Sequence, residues 1–414
     1  MRHHAPVDPD MDRPRGLKQR LVLPFTSLRY NGYRALWIGQ FGQGGAMWLE
    51  LVARNWLVWD MTHQGLMLAL LNLSRAGPSL VLGLVAGVVA DRANKKRVLQ
   101  AVQALTLASH VTMAVLLATG SLELWHIFLT SFANGVGNAF NQPARQSMIA
   151  RLVPRKSLLN AVSLNQIAMN VSRIAGPSAS GILIATVGVT GSYVASSLVY
   201  LVVIGATMFL PAIPPTVGQA RMSMAGSLKE GLGFAWSTAP VRAILLQMVG
   251  FYVFAMPYTS MLPIVADEVL NLGPGGYGLL LSTAGAGALL GGLVNASVKS
   301  VRDPIQVIRV SAVLFAGLLV ALAFTPVVAG AAVIMLALGA CSTTFMAWAN
   351  SSLLSATPEA MQGRVMSINA MDRGLIPLGT ALGGALRDLF SASVALAGLG
   401  ALCGGVAMLN AAIG

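Results

Sequence analysis

Gln40, Gln43, Met47, Glu50 and Arg54 fall three or four residues apart inside an apolar run, 34–59. That spacing puts their side chains on one face of a helix. A charge at the centre of a membrane helix costs roughly 2.5–3.5 kcal/mol on insertion scales, so Glu50 and Arg54 together cost about 5–7 kcal/mol unless they pair or meet water. Both are therefore expected to face an internal cavity. Asn72, Arg75 and Ser79 form a comparable stripe in the run 65–90, and Ser163, Gln166, Asn170, Arg173 and Pro177 form one in 160–186. At about 1.5 Å per residue, Glu50, Arg75 and Arg173 all fall near the middle of their runs. A desolvated carboxyl beside guanidinium groups whose contacts change between two states can carry a proton, which makes Glu50 the candidate proton site. A permanent structural pair between Glu50 and an arginine fits the same residues equally well.

The second half of the chain offers fewer such groups. Asp372 and Arg373 lie in the run 364–387; being adjacent, they point in different directions, so at most one faces a cavity squarely. Gln247, Phe251, Phe254 and Tyr258 make a mainly aromatic stripe in 241–266, which reads as a contact surface for a ring-bearing substrate or, more often, as ordinary packing. With Gln43, Asn72, Gln166 and Asn170, the three aromatic residues make the expected substrate cavity lining. Cys341 and Cys403 lie in apolar runs without metal-like spacing, and His3 and His4 sit in a polar tail expected to be disordered. No phosphate-binding glycine loop, metal cluster or nucleophile triad is present in the sequence, so neither an enzyme nor a metal or cofactor site is expected.

The elements that must position these residues follow from composition. Of 414 residues, 55% are hydrophobic and 10% charged, a balance that a water-soluble surface of this size cannot cover. Mean hydropathy is +0.70, and the bilayer is the expected solvent. The net charge of +13 does not imply a nucleic-acid partner, because the positive residues gather in short gaps between apolar runs: Arg13–Arg34, Arg92–Arg97, Arg145–Lys156, Arg221–Arg242 and Lys299–Arg309. The alternate gaps carry none, apart from Arg387 near one of them. This bias predicts a multi-pass protein of the cell membrane with both termini cytoplasmic. The start of the chain lacks the apolar core of a cleavable signal.

Runs at 34–59, 65–90, 98–119, 124–149, 160–186, 192–212, 241–266, 276–298, 305–325, 330–355, 364–387 and 391–412 predict about twelve transmembrane helices. The fold class is therefore an all-α membrane protein of two six-helix bundles: a cytoplasmic tail 1–33, a first bundle 34–212, a linker 213–240 and a second bundle 241–414. An internal repeat supports the division. Phe140, Pro154, Ser163, Asn165, Gly176 and Gly181 have counterparts at Phe345, Pro358, Ser367, Asn369, Gly379 and Gly384, at offsets that stay between 203 and 205. Two related bundles would enclose a cavity with sites near the bilayer midplane.

Between the second and third runs lies Gly87, Val88, Val89, Ala90, Asp91, Arg92, Ala93, Asn94, Lys95, Lys96, Arg97. This resembles the signature loop of the major facilitator superfamily, with Asn94 where that loop has its second glycine. Asparagine tolerates the left-handed backbone, so the tight turn is expected to survive. The resemblance implies that Gly87, Asp91, Arg92, Lys95, Lys96 and Arg97 form a cytoplasmic gating loop, Asp91 latching a neighbouring helix N-terminus or an arginine.

Pro143, Ala144, Arg145, then Leu152, Val153, Pro154, Arg155, then Asn160, Ala161, then Arg173, Ile174, Ala175, Gly176, Pro177 look like the drug-antiporter branch that includes macrolide and enterobactin exporters. The similarity covers most of the first half and is weaker in the second. Gly176, Pro177 and Gly181 resemble the antiporter motif of the fifth helix, where a glycine–proline pair permits a bend. Ser131 stands where many proton antiporters carry an arginine.

The resemblance implies an exporter of an amphiphilic small molecule, such as a drug, siderophore or metabolite, exchanging it for protons by alternating access; a monomer is expected because the cavity would lie within one chain. The residues leave two other readings open: uptake or facilitated diffusion of an organic anion, and a transport-inactive sensor or assembly partner in the bilayer.

Overall fold

The computed structural model describes residues 23–211, 224–298 and 301–413, and among these every regular element is helical. In chain order these are α1 Asn31–Thr62, α2 Gly65–Arg92, α3 Lys95–Ala118, α4 Leu124–Leu152, α5 Leu158–Met208, α6 Met224–Ser237, α7 Ala239–Gly250, α8 Tyr258–Ile264, α9 Gly273–Ser297, α10 Pro304–Ala323, α11 Val328–Ser355, α12 Glu359–Asp372, α13 Ile376–Leu389 and α14 Ala392–Ile413. The 51 residues of α5 would run about 77 Å as one rod, against a hydrocarbon core of about 30 Å. They do not: Gly188 has φ 73° and ψ 177°, a backbone that only glycine takes up readily, and splits the element into two legs. The predicted runs 160–186 and 192–212 are those legs. The run 241–266 is likewise one helical stretch made irregular by π turns at Phe251–Ala255 and Val265–Val269, next to Pro257 and Pro263.

Eight helical stretches among the described residues are long and apolar enough to cross a membrane. Helices α1 and α4 fall outside that set although they are 32 and 29 residues long. Their mean hydropathy is lowered by Arg34, Glu50, Arg54 and Asp60 in α1 and by Arg145 and Arg151 in α4. A helix that turns such side chains toward its neighbours cannot be recognised by average hydropathy.

Residues 23–33, assigned to the tail by the sequence, are docked onto α5. The Ser27 amide donates to Asn160 Oδ1 at 3.0 Å, Tyr33 Oη to the Ala161 carbonyl at 2.6 Å and, from the next turn, Trp37 Nε1 to the Leu164 carbonyl at 2.9 Å. His3 and His4 lie outside the described residues. Part of the predicted linker is helix α6, held to α12 by an Arg364–Glu230 ion pair at 2.7 Å.

The helices before residue 211 and those after 224 meet along two seams. On α5 and α9, a Cβ on Gly278 would sit 2.4 Å from the Pro177 carbonyl oxygen, so only glycine allows the approach. On α2 and α13, a Cβ on Gly384 would lie 2.5 Å from the Gly65 carbonyl. Both seams belong to the end of the molecule opposite the first and last described residues, here the far end, which carries the turns near residues 63, 120, 188, 271 and 390.

Candidate functional site

The stripe on α1 reaches a closed ionic cluster. Glu50 is 3% exposed and Arg54 1% exposed. One Glu50 oxygen is 3.2 Å from Arg54 Nη1, a contact set by the i, i+4 spacing, and the other accepts from Arg75 Nη1 at 2.5 Å. Ser131 Oγ lies 3.5 Å from Arg54 Nη1, so this serine is a neighbour of the cluster. Because two guanidinium groups share one carboxylate, the triad carries a net charge of +1.

A polar cavity of about 30 Å³, room for about one water, opens beside it. Its walls are Gln43, Met47 and Glu50 of α1, Arg75 of α2, Thr106 and His110 of α3, Asn134, Asn138 and Asn141 of α4, and Tyr200 of α5. Every one of these residues precedes residue 211. The cluster is thus enclosed within the first half of the chain, a more specific placement than the expected cavity between two halves. Arg145 adds a second buried guanidinium: it is 4% exposed and donates to the Leu36 carbonyl at 3.1 Å and to Gln43 Oε1 at 2.7 Å. The sequence had counted Arg145 among the loop charges that set orientation; the structure places it inside.

The remaining predicted residues separate. Asn72 donates to Ser260 Oγ at 3.1 Å and so joins the two halves. Arg173 is half-buried and forms no ion pair with Glu50 or any other acid among the described residues. Gln166 and Asn170 are exposed. Phe251 is fully buried, stacked on Phe345 with centroids 3.9 Å apart and edge-on to Phe315 at 4.9 Å. Tyr258 meets the same Phe315 ring at 5.6 Å and is also buried, while Gln247 accepts from Asn410 at 3.2 Å. This part of the aromatic stripe is therefore core packing of the second half, not cavity lining. Phe254 lies half-buried in an apolar groove between α7 and α14.

The glycine–proline motif does not interrupt α5. The helix continues through Gly176, Pro177 and Gly181 and breaks only at Gly188. Pro177 has no N–H for the carbonyl of Arg173, and that oxygen faces α9, 2.9 Å from where a Cβ on Gly285 would lie. Gly176 makes room for Trp48, whose Cβ would be 2.5 Å from an added methyl.

In the signature loop, Asn94 is not left-handed: at φ −67° and ψ 110° it is the N-cap of α3, its side chain accepting from the amides of Lys96 and Arg97. Lys95 is buried and Arg97 exposed. Lys96 Nζ donates to the Met208 and Leu210 carbonyls, both at 2.8 Å, so it caps the C-terminus of α5 within its own half. The latch roles of Gly87, Asp91 and Arg92, and the cavity roles of Asp372 and Arg373, lie outside the described residues.

At the far end a second constellation, unforeseen from the sequence, bridges the two seams. Asp388 of α13 accepts from the amides of Gly65 at 2.7 Å and Leu66 at 3.1 Å, capping the N-terminus of α2. Arg387 donates to the His63 carbonyl at 2.6 Å, pairs with Glu268, and lies 4.5 Å from the Trp59 ring centroid. Trp59 Nε1 in turn donates to Asp267 Oδ2 at 2.9 Å, and Asn55 Nδ2 to Tyr277 Oη at 3.2 Å. The one signal in the sequence was Arg387, the exception to a far end otherwise free of lysine and arginine.

Long apolar helices, close-packed through glycine and sheltering an ion triad, with charged groups clasping two halves at one end, define a multi-pass membrane protein of the transporter class. The chain belongs to the transmembrane secretion effector family of the major facilitator superfamily, matched over residues 22–413. It is a small-molecule transporter rather than an enzyme. Similar proteins include the staphyloferrin A transporter of Staphylococcus aureus, 23% identical with 86% of this chain and 90% of that protein covered. The enterobactin exporter EntS of Escherichia coli O1:K1 is 26% identical with 95% and 94% covered. Macrolide efflux protein A of Streptococcus pyogenes is 22% identical with 64% and 67% covered. Among solved structures, a D323A mutant of the nucleoside transporter NupG superposes with a TM-score of 0.75 at 13% identity, covering 92% of this chain and 98% of that one. A bacterial homologue of the lysosomal transporter Spinster, in an inward-facing and unoccupied conformation, does so with a TM-score of 0.70 at 13% identity, covering 92% and 95%.

Proposed function

We propose that this chain is a secondary exporter that exchanges an amphiphilic small molecule, a drug, siderophore or related metabolite, for protons by alternating access. In this reading about twelve helices cross the bacterial inner membrane in two six-helix bundles, 34–212 and 241–414, joined by the segment 213–240. A single chain encloses the path, and both termini are cytoplasmic. The positive residues outside the helix cores, at 92–97 and 151–156 among others, support that orientation even with Arg145 removed from the count. The far end then faces outward, and its clasp closes the outer side, as befits a state that loads cargo from the cytoplasm.

The observation that carries the reading is the Glu50–Arg54–Arg75 triad. Three charges at helix depth are costly, and an ion triad replaced by apolar residues of similar size would serve packing at least as well. A group of exchangeable partners around one carboxylate is what a proton-coupled step needs. The relatives' cargoes, two siderophores and macrolides by name, support an amphiphilic substrate.

The test is reconstitution with a pH dye trapped in the vesicles and a panel of macrolides, siderophores and organic anions. Substrate-driven proton movement that Glu50→Gln abolishes is the expected result. Substrate movement without proton movement would exclude antiport, and accumulation on the cytoplasmic-facing side would exclude export.

A further inference from the structure

We infer that His110, not Glu50 alone, takes up the exported substrate's exchange proton, and that the Arg75–Glu50 contact decides when it can do so. This assignment rests on the antiport reading and names a further residue for it.

His110 is 2% exposed on α3, in the wall of the same 30 Å³ polar cavity as Glu50 and Arg75. Its Nδ1 is buried and meets no hydrogen-bond partner, and the same holds for Asn134 Oδ1 and Asn141 Oδ1 in the walls and Arg54 Nε and Nη2 beside it. Buried polar atoms without partners are rare, and several around a space the size of a water indicate that water occupies it. A water there would give the imidazole a proton donor that the protein itself does not supply.

Every charged or titratable group facing His110 bears on the outcome. From α1 come Glu50 and Arg54, and from α2 Arg75, all within electrostatic reach. From the second leg of α5 come the rings of Tyr200, edge-on at 5.2 Å, and Tyr193 at 6.0 Å, which shield the imidazole without charge. Helix α4 contributes neutral amides to the walls and, behind Gln43, the buried Arg145 guanidinium, which holds that wall residue at 2.7 Å and keeps its charge in both states.

In the far-end-closed state both guanidinium groups hold Glu50, and the two cations with one carboxylate make the triad +1. Adding a proton to His110 there would place a second positive charge in the cavity. Arg75, however, sits on α2, whose Asn72 and Gly65 are fastened to the second half through Ser260 and Asp388. When the halves separate at the far end, those fastenings release and α2 is free to carry Arg75 away from Glu50. What remains beside the imidazole is a neutral Glu50–Arg54 pair with a carboxylate oxygen free to accept. The imidazole then takes up one proton from hydronium that reaches the cavity from bulk water: an N–H bond forms as an O–H bond of the hydronium breaks and neutral water is left, and the reverse transfer returns the proton to water when Arg75 comes back.

The experiment is imidazole nitrogen NMR in lipid nanodiscs at about pH 6.5, near the ordinary midpoint of histidine. The chain has five histidines, and replacing His3, His4, His63 and His126 leaves His110 as the sole signal. The expected result is a neutral ring with the triad intact, a protonated fraction that rises about tenfold in Arg75→Gln, and no rise in Arg75→Lys, which keeps the charge. Arg75→Met, which also removes the charge, serves where Arg75→Gln does not fold. A ring already protonated with the triad intact, or one indifferent to loss of the Arg75 charge, overturns the assignment. Substrate movement without protons in the pH-dye measurement overturns antiport and this assignment together, whereas an indifferent ring leaves antiport standing.

Discussion

Removing the Asp388 carboxylate is expected to open the far end. Two backbone amides, Gly65 and Leu66, donate to it at 2.7 and 3.1 Å. A hydrogen bond to a charged group contributes about 1.5–3 kcal/mol when buried, and a carboxylate at a helix N-terminus adds about 0.3–1 kcal/mol. The Asp388 side chain is 27% exposed, so water screens part of this, and about 2 kcal/mol is the reasonable total for the pair. That is about a 30-fold fall in the ratio of closed to open far end. Spin labels at Gln64 and Phe390, both exposed and on opposite sides of the clasp, report the change as a distance distribution. Asp388→Ala is expected to move population from the short distance to a longer one, and Asp388→Asn to do so by less, since its amide oxygen still accepts. Because the contact is partly buried, salt added to wild type should not reproduce the effect. Identical distributions in wild type and Asp388→Ala would refute the idea that this cap holds the halves together.

Three further outcomes follow from other contacts. Glu50→Gln leaves Arg54 and Arg75 without their acid and is expected to lower stability by about 3 kcal/mol, while adding Arg54→Leu restores most of it; thermal unfolding in one detergent compares the two. Gly278→Val puts side-chain atoms against the Pro177 carbonyl, with its Cβ only 2.4 Å away, and is expected to cost about 1–3 kcal/mol and lengthen the same spin-label distance. Phe251→Ala removes the ring stacked on Phe345 and is expected to destabilise by about 3–5 kcal/mol without changing the order of preference among substrates; a changed order measured in vesicles would return Phe251 to the cavity.

Apolar runs and spacing revealed the helical elements and the α1 stripe because both are local: a run of about twenty residues and an i, i+4 interval are written in consecutive positions. Glu50, Arg54 and Arg75 were legible for that reason, and so was the pair at Glu50, since membrane depth demands one. Arg145 was not, because a guanidinium a few residues from Arg151 and Pro154 reads as a loop charge until its acceptors, Leu36 and Gln43, arrive from another helix. The aromatic stripe told which residues share a face but not what that face meets, and Phe315 and Phe345 come from α10 and α11. Asn94 was read through the glycine it replaces, whereas its side chain does something glycine cannot, capping α3. His110 passed as one histidine in an apolar run; only the convergence of four other helices makes it a group in a polar cavity.

The clasp and the triad sit on the same two helices, and this suggests how an event at one end reaches the other. Glu50, Arg54, Asn55 and Trp59 lie along α1, and Gly65, Asn72 and Arg75 along α2. Asn55, one residue beyond Arg54, is held by Tyr277 of the second half, and Asn72, three residues before Arg75, by Ser260. A helix is stiff over such distances, so a displacement of α2 large enough to break the Asn72–Ser260 contact moves Arg75 by a comparable amount. Glu50 accepts from Arg75 at 2.5 Å, and a shift of about 1–2 Å of the kind seen at sliding helix interfaces is enough to end that contact. The first half then changes by a small slide of α2 against α1 and one broken ion pair, and the charge left on Glu50 becomes available to whatever proton acceptor shares its cavity.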